Sequence, residues 1–468
     1  MRSQQNTTCR VTNCLSLLML SLLLLTGAVW GQSGTLSTTA FGMQCGPSTS
    51  TNCPPNSEGV ITLPTEPGTL RLWDSKVNWS YLNPSSGTYS LSNLDTYLYA
   101  INAASNVKDV IYTFGFTPCW DAGLAPNCGT NSTAPNGTPL PPTDLVLTSC
   151  GPNGTGSSSF NAFVQQLTTH CAPATMTEPQ VCVKDVIKEY EMWNEANTTN
   201  FWGETAWSTA TSAEELYCMA APGAKIIKAN VTGAKILTPS INAATTNYET
   251  WMEDWLGDEV SGGIISNLYN FHIYLKSATY TPEYTYANVV VNQLAPNNGG
   301  LVSGWTALPW LVSETNFDPG TLECDNSHAA DCTGQIVRWQ AILNSEGALN
   351  LSWYWWNTTI GDYGDSSDLN PAYAEAYYYM MQYMVGGKFT AACSYTTSGS
   401  IETWTCPFTE AGGTGALFVW AYEPGAEAST TYTVPSGYVD YRTLTGGTTT
   451  VTGGENITIG VEPFMLEK

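Results

Sequence analysis

The chain has 468 residues, of which 43% are hydrophobic and 12% aromatic, so it can bury one large domain and a smaller one. The 17 Trp and 25 Tyr residues exclude an intrinsically disordered chain. Thirty-nine acidic residues against 15 basic ones give a net charge of −24, which disfavours nucleic acids and polyanionic substrates and favours a neutral substrate. An acidic surface that only keeps an exported chain soluble is the alternative.

The N-terminus has the pattern of an export signal. Arg2 and Arg10 precede an apolar run from Leu15 to Leu25, and small residues follow as far as Gly31. We therefore expect residues 1–31 to be a cleaved signal peptide. The mature chain is expected to be secreted and extracellular, or periplasmic in a Gram-negative bacterium. Because the apolar run is short for a membrane span, no membrane association is expected after cleavage; a retained anchor is the alternative.

Twelve cysteines lie beyond the expected signal peptide, and an even number in an exported chain predicts disulfides. No Cys-x-x-Cys pair occurs and the chain has only three His, so no metal site is expected. Close spacing favours the pairs Cys45–Cys53, Cys119–Cys128, Cys171–Cys182, Cys324–Cys332 and Cys393–Cys406. This leaves Cys150 for Cys218, and the connectivity as a whole is a hypothesis.

Short apolar runs alternate with longer helix-like stretches between Thr38 and Met384, a pattern typical of a parallel sheet built from βα units. Eight such runs predict a (β/α)8 TIM barrel, with an open doubly wound sheet as the alternative. No Gly-x-Gly-x-x-Gly follows the first run, and no cofactor is expected. Helices are predicted at Leu91–Ala104 and Ser212–Ala220. The predicted strands are Phe41–Gln44, Thr69–Trp73, Asp109–Phe114, Glu189–Trp193, Lys235–Pro239, Leu268–Tyr274, Pro309–Glu314 and Leu351–Trp355.

Two further stretches depart from this alternation. Residues from Pro118 to Ser159 are rich in Pro, Asn, Gly and Thr, which predicts a long loop after the third strand, either a wall of a substrate cleft or a surface insertion. After Gly386 the composition shifts to Thr, Gly, Val and Tyr in alternating short runs. We therefore expect the barrel at residues 32–385 and a small antiparallel, β-sandwich-like accessory domain at residues 386–468.

Two glutamates stand where predicted strands end. Glu195 follows Trp193 and Asn194 at the end of the fourth strand, and Glu314 closes the seventh. Because TIM barrels place their chemistry at the C-terminal ends of the strands, both carboxylates are expected at one mouth of the barrel. Two carboxylates that face one cleft are what cleavage of a glycosidic bond needs.

The ordered segments that contain these glutamates resemble clan A of the glycoside hydrolases, and within it family 39 and related exopolysaccharide hydrolases. The likeness rests on the segments Phe41-Gly42-Met43, Leu70-Arg71-Leu72-Trp73-Asp74, Tyr112-Thr113-Phe114-Gly115, Trp193-Asn194-Glu195 and Ser313-Glu314. The resemblance implies a retaining hydrolase that cleaves a neutral oligo- or polysaccharide by double displacement without a cofactor. It also implies that Glu195 is the acid/base, Glu314 the nucleophile and Asn194 a partner of the sugar 2-hydroxyl.

Other side chains are candidates for the same site. Arg71 would end the second strand beside the nucleophile, with a surface ion pair as the alternative. His272 and Tyr274 lie on one face of the sixth strand, where Tyr274 would reach Glu314; a His satisfied by backbone groups is the alternative. Trp120 and Trp356 are candidate platforms for sugar rings, or core residues.

Two functional alternatives use the same fold. A transglycosylase would differ only in the acceptor of the second step, where a sugar replaces water. A non-catalytic carbohydrate-binding protein would have the barrel without turnover, but the presence of both glutamates argues against it. A structural cell-wall or matrix protein is a further alternative, but it does not explain two carboxylates at strand ends.

Overall fold

The computed structural model describes residues 34–45, 67–129, 134, 136–203, 207–274, 281–285, 289–290, 302–316, 329–357, 359–360, 371–424, 426 and 428–468. Side chains at positions 45, 284, 329–332, 355–357, 359–360 and 371–374 lie outside this description. The predicted signal peptide, residues 1–31, also lies outside it.

Eight parallel strands form the predicted TIM barrel. Along the sheet they follow the order β6-β7-β8-β1-β2-β3-β4-β5, and a parallel bridge between Leu237 and Leu268 closes the ring between β5 and β6. All eight strands stand where the sequence predicts them, with starts that differ by at most one residue and ends that differ by one or two. In chain order, β1 to β8 are Phe41–Cys45, Thr69–Leu72, Asp109–Thr113, Glu189–Glu191, Lys235–Leu237, Tyr269–His272, Trp310–Thr315 and Leu351–Asn357.

The strands are apolar along their length because both of their faces are covered. Every residue of β2, β6 and β7 is buried. Ile111, Leu237, Leu268 and Leu311 form a separate cluster, to which β3, β5, β7 and the residue before β6 contribute, and which fills the inside of the barrel. The larger core lies between the strands and the helices around them.

Six long helices accompany the strands in the described part of the chain. Ser157 and Ser208 cap α2 and α3, since their hydroxyls accept hydrogen bonds from the backbone of Phe160 and Thr211. Among the described residues, no helix is long and apolar enough to cross a membrane. Helices α1 to α6 are Ser92–Ala103, Ser158–Thr169, Thr209–Asn230, Tyr248–Gly262, Ala329–Ser345 and Pro371–Met384, and four shorter helical turns are Thr38–Ala40, Trp79–Leu82, Val183–Val186 and Pro282–Thr285.

Helix α3 is longer than predicted because it continues through Pro222 and Gly223, two residues that usually end a helix. A Cβ atom at position 223 would stand 2.8 Å from the ring of Phe160 in α2. The glycine therefore permits the close approach of α2 to α3, and tertiary packing outweighs the local helix propensity.

The C-terminal part is antiparallel, as predicted. Its larger sheet has the order β9-β11-β12-β17-β14-β15, with β10 paired to β11, and β13 pairs with β16. The indole of Trp420 in β12 donates a 2.7 Å hydrogen bond to Glu283, which also pairs with Arg338 of α5. The β-sheet part is thus fixed to the barrel by buried polar contacts. Strands β9 to β17 are Lys388–Phe389, Ser394–Ser398, Ile401–Thr409, Gly415–Tyr422, Thr430–Thr433, Asp440–Arg442, Thr448–Thr450, Asn456–Ile459 and Phe464–Glu467.

Four of the six predicted disulfides are present. They are Cys119–Cys128, Cys150–Cys218, Cys171–Cys182 and Cys393–Cys406. The pairs Cys45–Cys53 and Cys324–Cys332 involve side chains outside the described residues. Three short antiparallel pairs lie in the connecting segments, namely Thr117–Pro118 with Gly137–Thr138, Cys171–Ala172 with Val181–Cys182, and Thr359–Ile360 with the end of β8.

Several buried or half-buried carboxyl groups predict that stability falls as the pH rises. Burial is the first cause that raises the pKa of Asp74, Glu189 and Asp258 to about 7 and that of Asp121 to about 6. Each group keeps its proton in the folded chain at a pH where the unfolded chain has lost it. The resulting contribution to the free energy of unfolding is present in acid and is lost as the pH rises through 6–7.

We therefore expect Tm to be lower at pH 8 than at pH 5.5 by roughly 3 °C or more in calorimetry at constant ionic strength. A Tm that rises between these two pH values would contradict the expectation.

Candidate active site

The two glutamates predicted from strand ends lie at the C-terminal mouth of the barrel. Glu314 belongs to β7, whereas Glu195 lies four residues beyond β4, in a turn. Glu195 has a positive φ of 41°, a conformation that costs non-glycine residues about 1–3 kcal/mol. Lys76, Phe116 and Asn127 also have positive φ, and they lie in the loops after β2 and β3. Backbone strain among the described residues other than glycine is therefore concentrated at this end of the barrel.

The turn that carries Glu195 is fixed by hydrogen bonds on both sides. The Glu195 amide donates to the hydroxyl of Ser240 at 3.0 Å, and the Glu195 carbonyl accepts from the Thr198 amide at 2.9 Å. The indole of Trp193, in turn, donates to the carbonyl of Phe201 at 2.8 Å. These contacts offset the strain and hold the Glu195 side chain toward the mouth.

The two carboxylates are close neighbours. One oxygen of Glu195, one oxygen of Glu314 and one ring nitrogen of His272 all lie within 4.8 Å of one another. Glu195 is 8% exposed and Glu314 is 6% exposed, whereas His272 is fully buried. The two carboxylates therefore lie together in largely buried surroundings, and each keeps a small exposed area.

Arg71 is the centre of the hydrogen-bond network beneath the carboxylates. Its guanidinium donates to Glu314 at 2.5 Å and to both oxygens of Glu191 at 2.8 and 3.0 Å. It also donates to Gln44 at 2.6 Å and to Asn194 at 2.7 Å. Arg71 is completely buried, so the alternative of a surface ion pair is excluded.

The buried pair of Arg71 and Glu191 stays charged. Burial alone raises the pKa of Glu191, but the charge of Arg71 and its hydrogen bonds outweigh burial and hold that pKa below its usual value. Likewise, burial alone lowers the pKa of Arg71, and the carboxylates of Glu191 and Glu314 outweigh it and raise the pKa. Glu191 thus balances the guanidinium that binds Glu314.

His272 and Tyr274 reach the carboxylates from the end of β6. The Nδ1 atom of His272 lies 3.2 Å from Glu195, and its Nε2 atom lies 3.0 Å from the Ser313 hydroxyl. The Tyr274 hydroxyl donates a hydrogen bond to Glu314. Burial, together with the charges of Glu314 and Glu195, raises the pKa of Tyr274, so the phenol remains a hydrogen-bond donor. The alternative of a His satisfied by backbone groups does not hold, because both ring nitrogens contact side chains.

Asn194 is buried beside the acid pair, with its Oδ1 accepting from Arg71. That bond fixes the orientation of the amide and leaves its Nδ2 group as the donor for a ligand. The position agrees with the predicted role at a sugar hydroxyl, which remains a prediction.

The two candidate tryptophan platforms are not joined to this network. Trp120 lies in the loop after β3, partly exposed, and its indole donates to the carbonyl of Asn83 at 2.9 Å. Within the described part of the chain it makes no hydrogen bond to the carboxylates. The backbone of Trp356 lies near the end of β8, and its side chain lies outside the described residues. Aromatic packing around the mouth is supplied instead by Trp73, which stacks on Phe116 with ring centroids 5.4 Å apart.

Sequence reasoning did not assign four side chains that contact this network. Ser240 donates to Glu191 at 2.7 Å, while Gln44 and Tyr354 contact Asp74 at 3.3 and 2.8 Å. A signal existed for Asp74, since it follows Trp73 just beyond the second predicted strand, where the barrel places its chemistry. Gln44, Ser240 and Tyr354 are single polar residues within or just after apolar strands. The sequence does not show that such residues point into the barrel, because this depends on the fold.

The geometry of Glu195, His272 and Glu314 would also meet the distance requirement for a metal ion. Arg71, however, already brings a positive charge to within 2.5 Å of Glu314. A divalent cation would be repelled by that guanidinium, so the donor set does not fit a metal well.

Comparison of the sequence with protein-family models and with curated proteins gives no match.

Solved structures, in contrast, are similar over nearly the whole chain. A glucosidase from Croceicoccus marinus superposes with a TM-score of 0.54 at 10% identity, covering 94% of this chain and 97% of the other. A GH30 endoxylanase from Clostridium papyrosolvens gives 0.51 at 13% identity, covering 94% and 98%. A 4-O-α-L-rhamnosyl-β-D-glucuronidase from Fusarium oxysporum gives 0.51 at 12% identity, covering 93% and 97%. At these identities the likeness establishes the fold, a TIM barrel with a C-terminal antiparallel sheet.

Proposed function

We propose that the protein is a retaining glycoside hydrolase that cleaves a neutral oligo- or polysaccharide. The observation that carries the proposal is the spacing of Glu195 and Glu314, whose nearest oxygens lie within 4.8 Å. Retaining glycosidases hold their carboxyl groups about 5–5.5 Å apart, and inverting ones about 6.5–9.5 Å apart to admit a water molecule. The spacing here is closer to the retaining range than to the inverting one and suits a direct attack by one carboxylate.

In the first step, the Glu314 carboxylate attacks the anomeric carbon. Arg71 and Tyr274 donate to its two oxygens, which fixes the orientation of the carboxylate. At the same time Glu195 donates a proton to the leaving oxygen, so the glycosidic bond breaks while the bond to Glu314 forms.

In the second step, water replaces the leaving group. Glu195 takes a proton from this water, which attacks the anomeric carbon and releases the sugar and the Glu314 carboxylate. The buried His272 contacts Glu195 at 3.2 Å and limits its rotation. One side chain thus serves as acid and then as base, which its fixed position beside Glu314 permits.

Finer assignments are part of the same proposal. The quoted sequence segments support a relation to family 39 and its relatives, and the similar solved structures named as glycosidases are consistent with the reaction class. The four disulfides favour an oxidising, extracellular or periplasmic location. We place the catalytic barrel at residues 32–385 and the accessory domain at residues 386–468.

A Glu195→Ala variant tests the division of roles. We expect kcat/KM for aryl glycosides with poor leaving groups to fall by about 10²–10⁴-fold, because these need the proton from Glu195. The loss should be far smaller for 2,4-dinitrophenyl glycosides, whose leaving group departs without a proton. Initial rates across a series of phenol leaving groups provide the measurement. Equal losses for good and poor leaving groups would contradict the role of Glu195 as the acid.

A further inference from the structure

The proposed mechanism does not use one carboxyl group that lies next to it. Asp74 stands two residues beyond β2 and is 7% exposed. Its Oδ2 accepts a 2.8 Å hydrogen bond from the hydroxyl of Tyr354 and a 3.3 Å bond from the amide of Gln44. The same Gln44 accepts from the Arg71 nitrogen that binds Glu314. Asp74 is therefore tied to Glu314 through two intervening side chains.

The three residues of this group lie on the side of the barrel away from Glu195. Gln44, Asp74 and Tyr354 come from β1, from the end of β2 and from β8, which are consecutive in the sheet. Glu195 follows β4, which faces β8 across the eight-stranded ring. The leaving group must lie beside Glu195, so the sugar that Glu314 attacks extends toward β8, β1 and β2. Asp74 therefore lines the space for that sugar, the glycone.

The chemistry of Asp74 suits hydroxyl groups. Both hydrogen bonds to it arrive at Oδ2, and in the described part of the chain Oδ1 accepts none. A carboxylate oxygen accepts hydrogen bonds from sugar hydroxyls strongly, and it repels a second carboxylate placed at the same distance. Burial raises the pKa of Asp74 to about 7, and the charge of Glu314 adds to this, so the carboxylate that repels a uronic acid is present above about pH 7.

We propose that Asp74, held by Gln44 and Tyr354, selects the glycone: it accepts hydrogen bonds from hydroxyls of a neutral sugar and rejects a uronic acid. This inference rests on the glycosidase activity proposed above. It assigns a specificity role to a residue that takes no part in the two displacement steps.

The test compares Asp74→Asn with the wild type at about pH 8, where Asp74 is ionised, on 4-nitrophenyl β-D-glucoside, galactoside, mannoside, xyloside and glucuronide. We expect the wild type to prefer a neutral member of this panel. In the variant, kcat/KM for that member should fall by about 30-fold, the effect of one hydrogen bond to a charged group, while kcat/KM for the glucuronide should stay constant or rise. The preference for the neutral sugar should shift by at least about 10-fold.

Two further variants keep the outcome decisive. Tyr354→Phe removes one partner of Asp74 and should shift the same preference less, even if Asp74→Asn folds poorly. Asp95→Asn is the matched control, because Asp95 lies on the outer helix α1 and pairs with His170 instead. It should leave the preference unchanged.

The failures can be told apart. A wild type that cleaves no member of the panel would contradict the proposed function. An active wild type that prefers the glucuronide, or an unchanged preference in both Asp74→Asn and Tyr354→Phe, would overturn the role of Asp74 alone.

Discussion

Replacement of Glu314 by Ala is expected to lower kcat/KM by about 10⁴-fold or more, because the covalent step loses its nucleophile. The shorter side chain leaves space between Arg71 and the anomeric carbon, where a small anion fits. Added azide should therefore restore turnover and yield a glycosyl azide of inverted configuration. The measurement is release of 4-nitrophenol with and without azide, followed by NMR of the product.

A second acidic residue provides the control for this experiment. Glu249 lies in the first turn of α4, outside the carboxylate network. The variant Glu249→Ala should therefore retain wild-type activity and show no response to azide. Undiminished activity of Glu314→Ala would contradict its role as nucleophile, and so would azide rescue with retained configuration.

Replacement of Arg71 by Met is expected to be the most destabilising of the changes considered. The side chain of Met is of similar length, but it leaves the buried carboxylates of Glu191 and Glu314 without a cation. Removing one partner of a buried ion pair costs about 3–5 kcal/mol. The free energy of unfolding in urea should fall by this amount at pH 7, and activity should be lost with it.

Two related variants refine the prediction. Arg71→Lys keeps the charge but cannot reach Gln44, Glu191, Asn194 and Glu314 together, so activity should remain strongly reduced. Arg442→Met is the matched control, since the side chain of Arg442 is 35% exposed in its pair with Glu467 and should contribute less than about 1 kcal/mol. Similar losses for Arg71→Met and Arg442→Met would contradict the central position of Arg71.

The barrel could be predicted because its strands are short, buried on both faces and therefore apolar in sequence. Strand ends were harder, as β4 shows. The prediction extended it to Trp193, whereas the strand ends at Glu191. The indole of Trp193 packs against Trp202 with ring centroids 5.0 Å apart. Trp193 therefore belongs to the turn that carries Glu195 and not to the strand.

The site was predictable where a charged residue interrupts or ends an apolar run, as Glu195, Glu314 and Arg71 do. Glu191 belongs to the same pattern, yet its partner comes from β2, and no spacing in the sequence indicates which inward residues meet inside the barrel. The contact between Ser240 and Glu191 likewise joins two residues whose proximity the sequence does not indicate. Glu189 lies two residues earlier on the same strand, but it pairs with Lys235 at 2.7 Å and does not belong to the carboxylate cluster.

The most direct test of the account is the configuration of the first product. Proton NMR of the anomeric signals, recorded in the first minutes of hydrolysis of the glycoside that the wild type cleaves best, precedes mutarotation. The account predicts that the released sugar first appears with the anomeric configuration of the substrate, because the spacing of Glu195 and Glu314 is close to that of retaining enzymes. First appearance of the opposite anomer would contradict the double displacement and the nucleophilic role of Glu314.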